Sequence, residues 1–298
     1  LWAALAHAEQ QAVLLADTAI VRAGETLMDI ARTHDLGFVE LRSANPDLDP
    51  WLPAAGTAVR LPTAHLPPPQ LRQAPLVINV AAMRLYWRAA DGTVVSFPVG
   101  IGRDGMALSP ATTRVVSKRR APVWVPPPSV LAEKPWLPAQ VPPGPDNPLG
   151  AFSLDLAIGL VRIHGTNLPD GVGRRVSHGC FRLYPEDIER LFPQVPIGTS
   201  VAIIDMPIMV AQADGQWWLE IHAGQEAADA IEAGKPSPVP TRPGLERQIA
   251  EAVGSESWRI DWGAVAWARD HPFGVPVRIS HQGAPPPLTL KRSEEPPP

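Results

Sequence analysis

One short stretch holds the residues best equipped for covalent chemistry: His164-Gly165-Thr166-Asn167, then Ser177-His178-Gly179-Cys180-Phe181-Arg182-Leu183. Cys180 is the only cysteine of 298 residues, so no internal disulfide can engage it. A lone thiol beside two His-Gly pairs reads as a nucleophile with a base. The thiolate is the attacking species, and a free cysteine with a pKa near ~8.5 is only slightly ionised at neutral pH. A histidine within hydrogen-bond reach takes the proton and later returns it to a leaving amine. His164 is the candidate base and Cys180 the candidate nucleophile. The backbone amides around His178, Gly179 and Cys180 are candidates for an oxyanion hole, since glycine permits close approach and unusual dihedrals. Arg182, two residues on, could hold a substrate carboxylate. Each residue also has a plainer reading: a buried apolar cysteine, core histidines, a solvated arginine. A metal site of His164, His178, Cys180 and His222 matches no tight zinc spacing.

Other elements must bring these residues together. Gly150 to Leu156 and Gly159 to His164 read as a hairpin that delivers His164 at a strand end. Upstream, Leu76–Val80, Arg84–Trp87 and Thr93–Val99 alternate with turn signals, and Thr113–Lys118 offers a further strand. Such short strands favour a β-sandwich or barrel. Pro122 to Pro148 is a proline-dense insertion of the length used for lids and binding loops. Tyr184-Pro185-Glu186-Asp187 opens a helix, and Ser200–Ile204 is a strand. These elements lie within residues 76–205.

Residues 19–62 read as β-α-α-β: strand Ala19–Val21, a helix with Leu27, Ile30 and Ala31 on its apolar face, a helix from Phe38 to Ala44, and strand Ala58–Leu61. Residues 63–75, with Pro67-Pro68-Pro69, are expected to be an extended linker. A C-terminal subdomain spans 206–282, with a hairpin about Asp214-Gly215, helices Leu245–Val253 and Trp262–Arg269, and strand Val275–Ile279. Weak periodicity marks 223–244, and 283–298 is expected to be a disordered tail. The fold class is mainly β: a β-sandwich catalytic domain, a small β-α-α-β N-terminal domain and a small α+β appendage.

A formal net charge of −4 argues against a general nucleic-acid binder. No apolar run approaches the roughly 20 residues of a membrane span. Residues 1–8, ending Ala6-His7-Ala8, read as the tail of a secretory signal peptide cleaved before Glu9.

The string His-Gly-Thr-Asn, then Ser-His-Gly-Cys-x-Arg-Leu, resembles the L,D-transpeptidase family, whose catalytic unit is called the YkuD domain. Ala82–Tyr86, Gly100-Ile101-Gly102, Pro122–Pro126 and Gly144–Gly150 resemble landmarks of its periplasmic ErfK/YbiS-type branch. Residues 19–62 look like a LysM domain, on Gly24, Thr26, Leu27, Ile30, Ala31, Asn45, Pro46, Gly56 and Leu61-Pro62. Phe181 and Ser109-Pro110 depart mildly from the family pattern, which usually has Val or Ile and Thr-Pro. The resemblance implies a periplasmic enzyme that needs no metal or organic cofactor. Cys180 attacks the L-centre of meso-diaminopimelate in a peptidoglycan stem tetrapeptide, expels D-alanine and forms a thioester. An amine resolves it, from another stem or from an outer-membrane lipoprotein lysine. His164 is the implied base, its tautomer set by a backbone carbonyl with Gly165 a candidate. Gly165, Ser177, His178 and Gly179 are the implied orienting or oxyanion residues, and Arg182, Thr166, Asn167 and Arg175, with Arg174, the implied substrate contacts. The LysM-like unit implies binding to glycan strands, and the thiol implies acylation by carbapenems. A hydrolase acting through the same thioester, and a non-catalytic wall-binding protein, are the alternatives.

Overall fold

The computed structural model describes residues 17–106, 108–235 and 242–281. The N-terminal unit runs β1 (Asp17–Ile20), α1 (Leu27–Thr33), α2 (Phe38–Ala44) and β2 (Ala58–Leu61), with β1 and β2 antiparallel. Thr26 caps α1 through a reciprocal box with Asp29. Leu27, Ile30, Ala31, Leu36, Leu41, Val59 and Leu61 make its small core. Asn45 bridges α2 to β2: its amide donates to the carbonyls of Leu41 and Arg60, and its oxygen accepts from Arg60 N–H.

The catalytic unit contains β3 (Leu76–Asn79), β4 (Arg84–Arg88), β5 (Val94–Pro98), β6 (Ile101–Gly102), β7 (Ala111–Arg120), α3 (Pro128–Glu133), β8 (Phe152–Leu156), β9 (Arg162–His164), β10 (Arg175–Ser177), β11 (Phe181–Arg182), α4 (Pro185–Leu191) and β12 (Ser200–Ile204). Eight of these strands form one sheet in the order β11-β9-β8-β7-β12-β3-β4-β5. The expected sandwich is thus a single sheet curled over one core. The ten-residue β7 spans both halves, pairing with β12 from Ala111 to Arg114 and with β8 from Val115 onward, with a register shift between Val115 and Ser117. Bulges of this kind sharpen strand bending. Leu76, Ile78, Leu85 and Phe97 from one half meet Leu154, Ile163 and Phe181 from the other in a common core closed by Ile188 and Leu191 of α4.

Residues 63–75, expected from their prolines to be an extended linker, instead turn through a short 3-10 helix (Pro69–Arg72) and lie against the sheet. Both faces of β3 are apolar, and its outer face, with Val77, Tyr86, Ala202 and Ile204, is covered by Leu71 and Ala74. A strand with two apolar faces needs cover on both. The segment is a strap bound to the sheet, and its Leu66 is likewise buried.

The C-terminal subdomain comprises β13 (Ile208–Ala213), β14 (Gln216–Ile221), α5 (Gln225–Glu232), α6 (Leu245–Val253), α7 (Trp262–Asp270) and β15 (Val277–Arg278). Strands β13, β14 and β15 form a three-stranded sheet with its own core. Helix α5 falls where the sequence shows little periodicity, and Ala228 on it packs into the catalytic core. The signal-peptide remnant and the tail expectation lie outside the described residues.

Buried charges join the three units. Glu220 on β14, fully buried, accepts from the N–H of Leu66 at 2.5 Å and is paired with His65 and with His222. Burial alone would raise its carboxyl, but the bonds from His222 and His65 outweigh that and hold it at about 2. Glu40 on α2 meets His65 from the other side and binds Arg84 of β4 at 2.8 Å. The docking is closed by a backbone contact. A Cβ on Gly173 (φ +68) would sit 2.1 Å from the Cα of Gly37, where Val39 N–H also donates to the Gly173 carbonyl at 3.1 Å.

Gly173→Ala is accordingly expected to destabilise the protein by about 3 kcal/mol or more, combining left-handed strain with a backbone clash. Gly24→Ala, with φ +79 but nothing within 4 Å of the added carbon, should cost only about 1 kcal/mol. Urea unfolding of the two variants side by side checks this, and equal midpoints would show that the contact is not a close one.

Candidate active site

The candidate residues sit at one edge of the eight-stranded sheet, where β9 and β11 run parallel. Phe181 pairs with Ile163 and Arg182 with His164, and β9 pairs antiparallel with β8 so that Ser153 faces His164 and Asp155 faces Arg162. Side chains alternate along a strand. Phe181, Ile163 and Leu154 therefore point together into the core, and all three are buried. The opposite face carries Arg182, His164 and Ser153 in one cross-strand row. The next row holds Arg162 and Asp155, with Cys180, one residue ahead of β11, at its end. Nucleophile and base candidates thus stand on neighbouring strands and on the same face, two residues out of step. With strands ~4.8 Å apart and ~3.3 Å per residue, their Cα atoms are about 8 Å apart, a span the two side chains can bridge.

His164 is 5 % exposed, and its Nδ1 lies 2.5 Å from the carbonyl oxygen of Gly165. A carbonyl only accepts, so Nδ1 carries the hydrogen and Nε2 keeps its lone pair. Burial, reinforced by the Arg182 charge, pushes the imidazole down to about 3 despite the Gly165 bond. The ring is neutral at physiological pH, the state a base requires. Cys180 is half-buried and free, with Sγ 3.7 Å from the Leu160 carbonyl. Burial pushes its thiol up, while the Arg162 N–H and the Arg162 and Arg182 charges oppose that shift.

Ser177, 1 % exposed, shapes the turn that carries the thiol. Its hydroxyl donates to the Cys180 carbonyl at 2.6 Å and accepts from Gly179 N–H at 3.1 Å. Gly179 has φ +100, which glycine alone tolerates well. The Gly179 amide is therefore already engaged, which removes it from the oxyanion candidates. The amides of His178 and Cys180 have no hydrogen-bond partner among the described residues.

The remaining expected residues divide. Arg182 makes no ion pair with a described carboxylate and stays available to substrate. His178 instead bonds Glu133 of α3 at 3.1 Å, and Glu133 also pairs with Arg103, which ties the 122–148 insertion to the motif. Asn167 donates to the Asp146 carbonyl at the far end of that insertion. The Thr166 hydroxyl accepts from Leu168 N–H, so it serves a local turn. Arg175, expected at the substrate, is 9 % exposed and binds the Gln225 carbonyl and Asp229 of α5, while Arg174 binds Glu232. Both arginines fasten the C-terminal subdomain because α5, invisible in the sequence pattern, packs there. His222 belongs to the Glu220 junction and not to this site. Arg162, Asp155 and Glu133 were not singled out from sequence. For Arg162 a signal existed, because a residue two before His164 on a strand must share its face.

Residues 74–203 match the YkuD family, the L,D-transpeptidase catalytic domain. Over 264 residues the chain is 38 % identical to the probable L,D-transpeptidase ErfK/SrfK of Escherichia coli (strain K12), covering 86 % of this chain and 83 % of that one. The chain belongs to the L,D-transpeptidase family. It is also 37 % identical to the probable L,D-transpeptidase YbiS of the same strain, over 84 % of this chain and 82 % of that one. The probable L,D-transpeptidase YcfS matches at 41 % over 67 % of this chain and 65 % of its own length. All of the motif and both of its strands lie inside the matched domain, so this L,D-transpeptidase carries the thiol, the imidazole and the free arginine within its catalytic unit.

Two outcomes follow from this geometry. Ser177→Ala frees the Cys180 carbonyl and the Gly179 amide together, and turnover is expected to fall by about ten- to a hundredfold with the fold retained. Ser177→Thr keeps the hydroxyl and should recover most of the loss; equal rates for wild type and Ser177→Ala would show that the turn does not depend on the side chain. The second outcome concerns acid stability. The unfolded chain protonates His164 near pH ~6.5, the folded chain only at about 3. Between these values the unfolded state binds the extra proton, so stability falls as pH drops, by up to about 1.4 kcal/mol per pH unit from this residue. His164→Gln lacks that slope, and urea midpoints at pH values above and within the window measure the difference.

Proposed function

We propose that this enzyme acts on peptidoglycan stem peptides with Cys180 as nucleophile and His164 as general base and acid. The observation that carries the reading is the shared face of β9 and β11, with a neutral, tautomer-fixed imidazole on one strand and a single half-buried thiol at the start of its neighbour. Nε2 takes the thiol proton as sulfur attacks the carbonyl of the L-centre of meso-diaminopimelate. The tetrahedral oxyanion is held by the unpartnered amides of His178 and Cys180. As the C–N bond breaks, Nε2 returns the proton to the departing D-alanine nitrogen and a thioester remains. An acceptor amine then attacks the thioester carbon and gives its proton to Nε2. The thiolate leaves and recovers that proton, which regenerates the resting enzyme. Arg182 supplies a cation for a substrate carboxylate at the reacting face. The acceptor is a second stem, giving a 3→3 cross-link, or a lipoprotein lysine, and the site of action is the periplasm.

The N-terminal β-α-α-β unit is the proposed LysM-type glycan binder. Its docking through Glu40, Gly37 and the strap supports a fixed holder of glycan in place of a swinging tether.

The test is incubation with disaccharide-tetrapeptide, with products read by mass spectrometry. Wild type is expected to release D-alanine and form dimers, and to be labelled covalently by a carbapenem; Cys180→Ala should do neither. Turnover in Cys180→Ala above about a hundredth of wild type sinks the nucleophile assignment, since acid–base assistance alone gives about 10²–10⁴. Tripeptide as the sole product marks a hydrolase.

A further inference from the structure

The row that ends at Cys180 contains a group the reaction scheme above leaves idle. Arg162 on β9 lies across from Asp155 on β8, and its Nε donates to Asp155 Oδ1 at 2.9 Å. Arg119 on β7 binds the other carboxylate oxygen, also at 2.9 Å. The Arg162 side chain is 21 % exposed and Asp155 only 14 %, whereas Arg119 is 52 % exposed. A guanidinium fixed on one edge by a half-shielded carboxylate has little freedom to swing, and its planar fork keeps the charge in place. The charged groups facing the thiol are Arg162 and Asp155 along its own row and Arg182 from the next; His164 is neutral. Two cations and one anion thus act on the thiol, and the anion already serves two arginines.

We propose that Arg162, pinned by Asp155 in the row that ends at Cys180, is a positioning residue for the reaction: its fixed charge favours the thiolate of Cys180. The proposal rests on Cys180 being the nucleophile for its catalytic meaning. The effect on the thiol itself is independent of that reading. Burial at this site is needed to keep water from the thioester, and it opposes ionisation of the same sulfur. Arg182 cannot resolve this conflict alone, because a substrate carboxylate that binds it also cancels its charge. Arg162 shares its carboxylate with Arg119, so one anion faces two cations and the positive charge left in this row is the same with and without substrate.

The experiment uses the full chain with Arg162→Gln and Arg162→Lys, and follows iodoacetamide alkylation of Cys180 from neutral to alkaline pH. Arg162→Gln is expected to move the midpoint upward and to slow alkylation at neutral pH by about tenfold, the change that one pKa unit brings. Arg162→Lys, which keeps a cation without the fork, should recover part of it. In turnover, Arg162→Gln should lower kcat with KM unchanged, and the deficit should close as pH rises. A midpoint equal to wild type in Arg162→Gln overturns the proposal. So does a lysine variant no better than glutamine, which points to packing, or a raised KM with unchanged kcat, which makes Arg162 a substrate anchor. Alkylation reads the thiol directly. If Cys180→Ala still released D-alanine while Arg162→Gln shifted the alkylation midpoint, the nucleophile reading would fail and the thiol effect would stand.

Discussion

Two adjacent parallel strands cannot be joined by a tight turn. Their ends lie at opposite edges, so the chain must cross back over a dozen or more residues. That constraint governs this active site. His164 closes β9 and Cys180 precedes β11, so everything between them is crossover. The crossover is not idle chain: it forms its own short parallel pair, β10 with β6, and presents Gly173 to the N-terminal unit and Arg174 and Arg175 to α5. The separation between the histidine and the cysteine is thus set by how far the backbone travels before it can lie beside itself. Distant parts of the molecule are fastened to that excursion.

The site also balances opposed electrostatic demands. Burial holds His164 neutral and raises the Cys180 thiol, so the resting pair is uncharged. In the proposed proton transfer, the Arg162 and Arg182 charges favour the thiolate half of the ion pair and oppose its imidazolium half. Ser177 fixes the turn by one hydroxyl that donates and accepts, so a single atom spaces the backbone on both sides of Gly179. The insertion is secured at its two ends by Asn147, fully buried, whose amide reaches the carbonyls of Pro122 and Val141.

Local periodicity made much of this legible in the sequence. The β8–β9 hairpin, the β-α-α-β unit and the β13–β14 hairpin about Asp214-Gly215 each carry their pattern within a few residues, and each is present. What escaped depends on partners far along the chain. The prolines of 63–75 suggest an extended spacer, and nothing local reveals that β3 has a second apolar face requiring cover. Arg175 has the chemistry of a substrate contact until α5 arrives beside it, and α5 is short and buries only alanines, Ala227 and Ala228, in place of the large apolar residues that mark a core helix. The Gly179 amide was available on paper. Only the rotamer of Ser177 shows that it is taken.

The meeting of Gly37 with Gly173 bears on how such proteins can be recombined. Accessory units on enzymes are often treated as interchangeable beads, to be exchanged by cutting at a linker. Here neither partner tolerates a side chain, and the exchange would also strip Arg84 of its buried carboxylate and leave the Phe38 socket of the main core empty. A replacement unit must therefore bring a bare backbone edge, an acid and an aromatic in the same arrangement. Shuffling is blocked at this joint, and the two halves inherit changes as one piece.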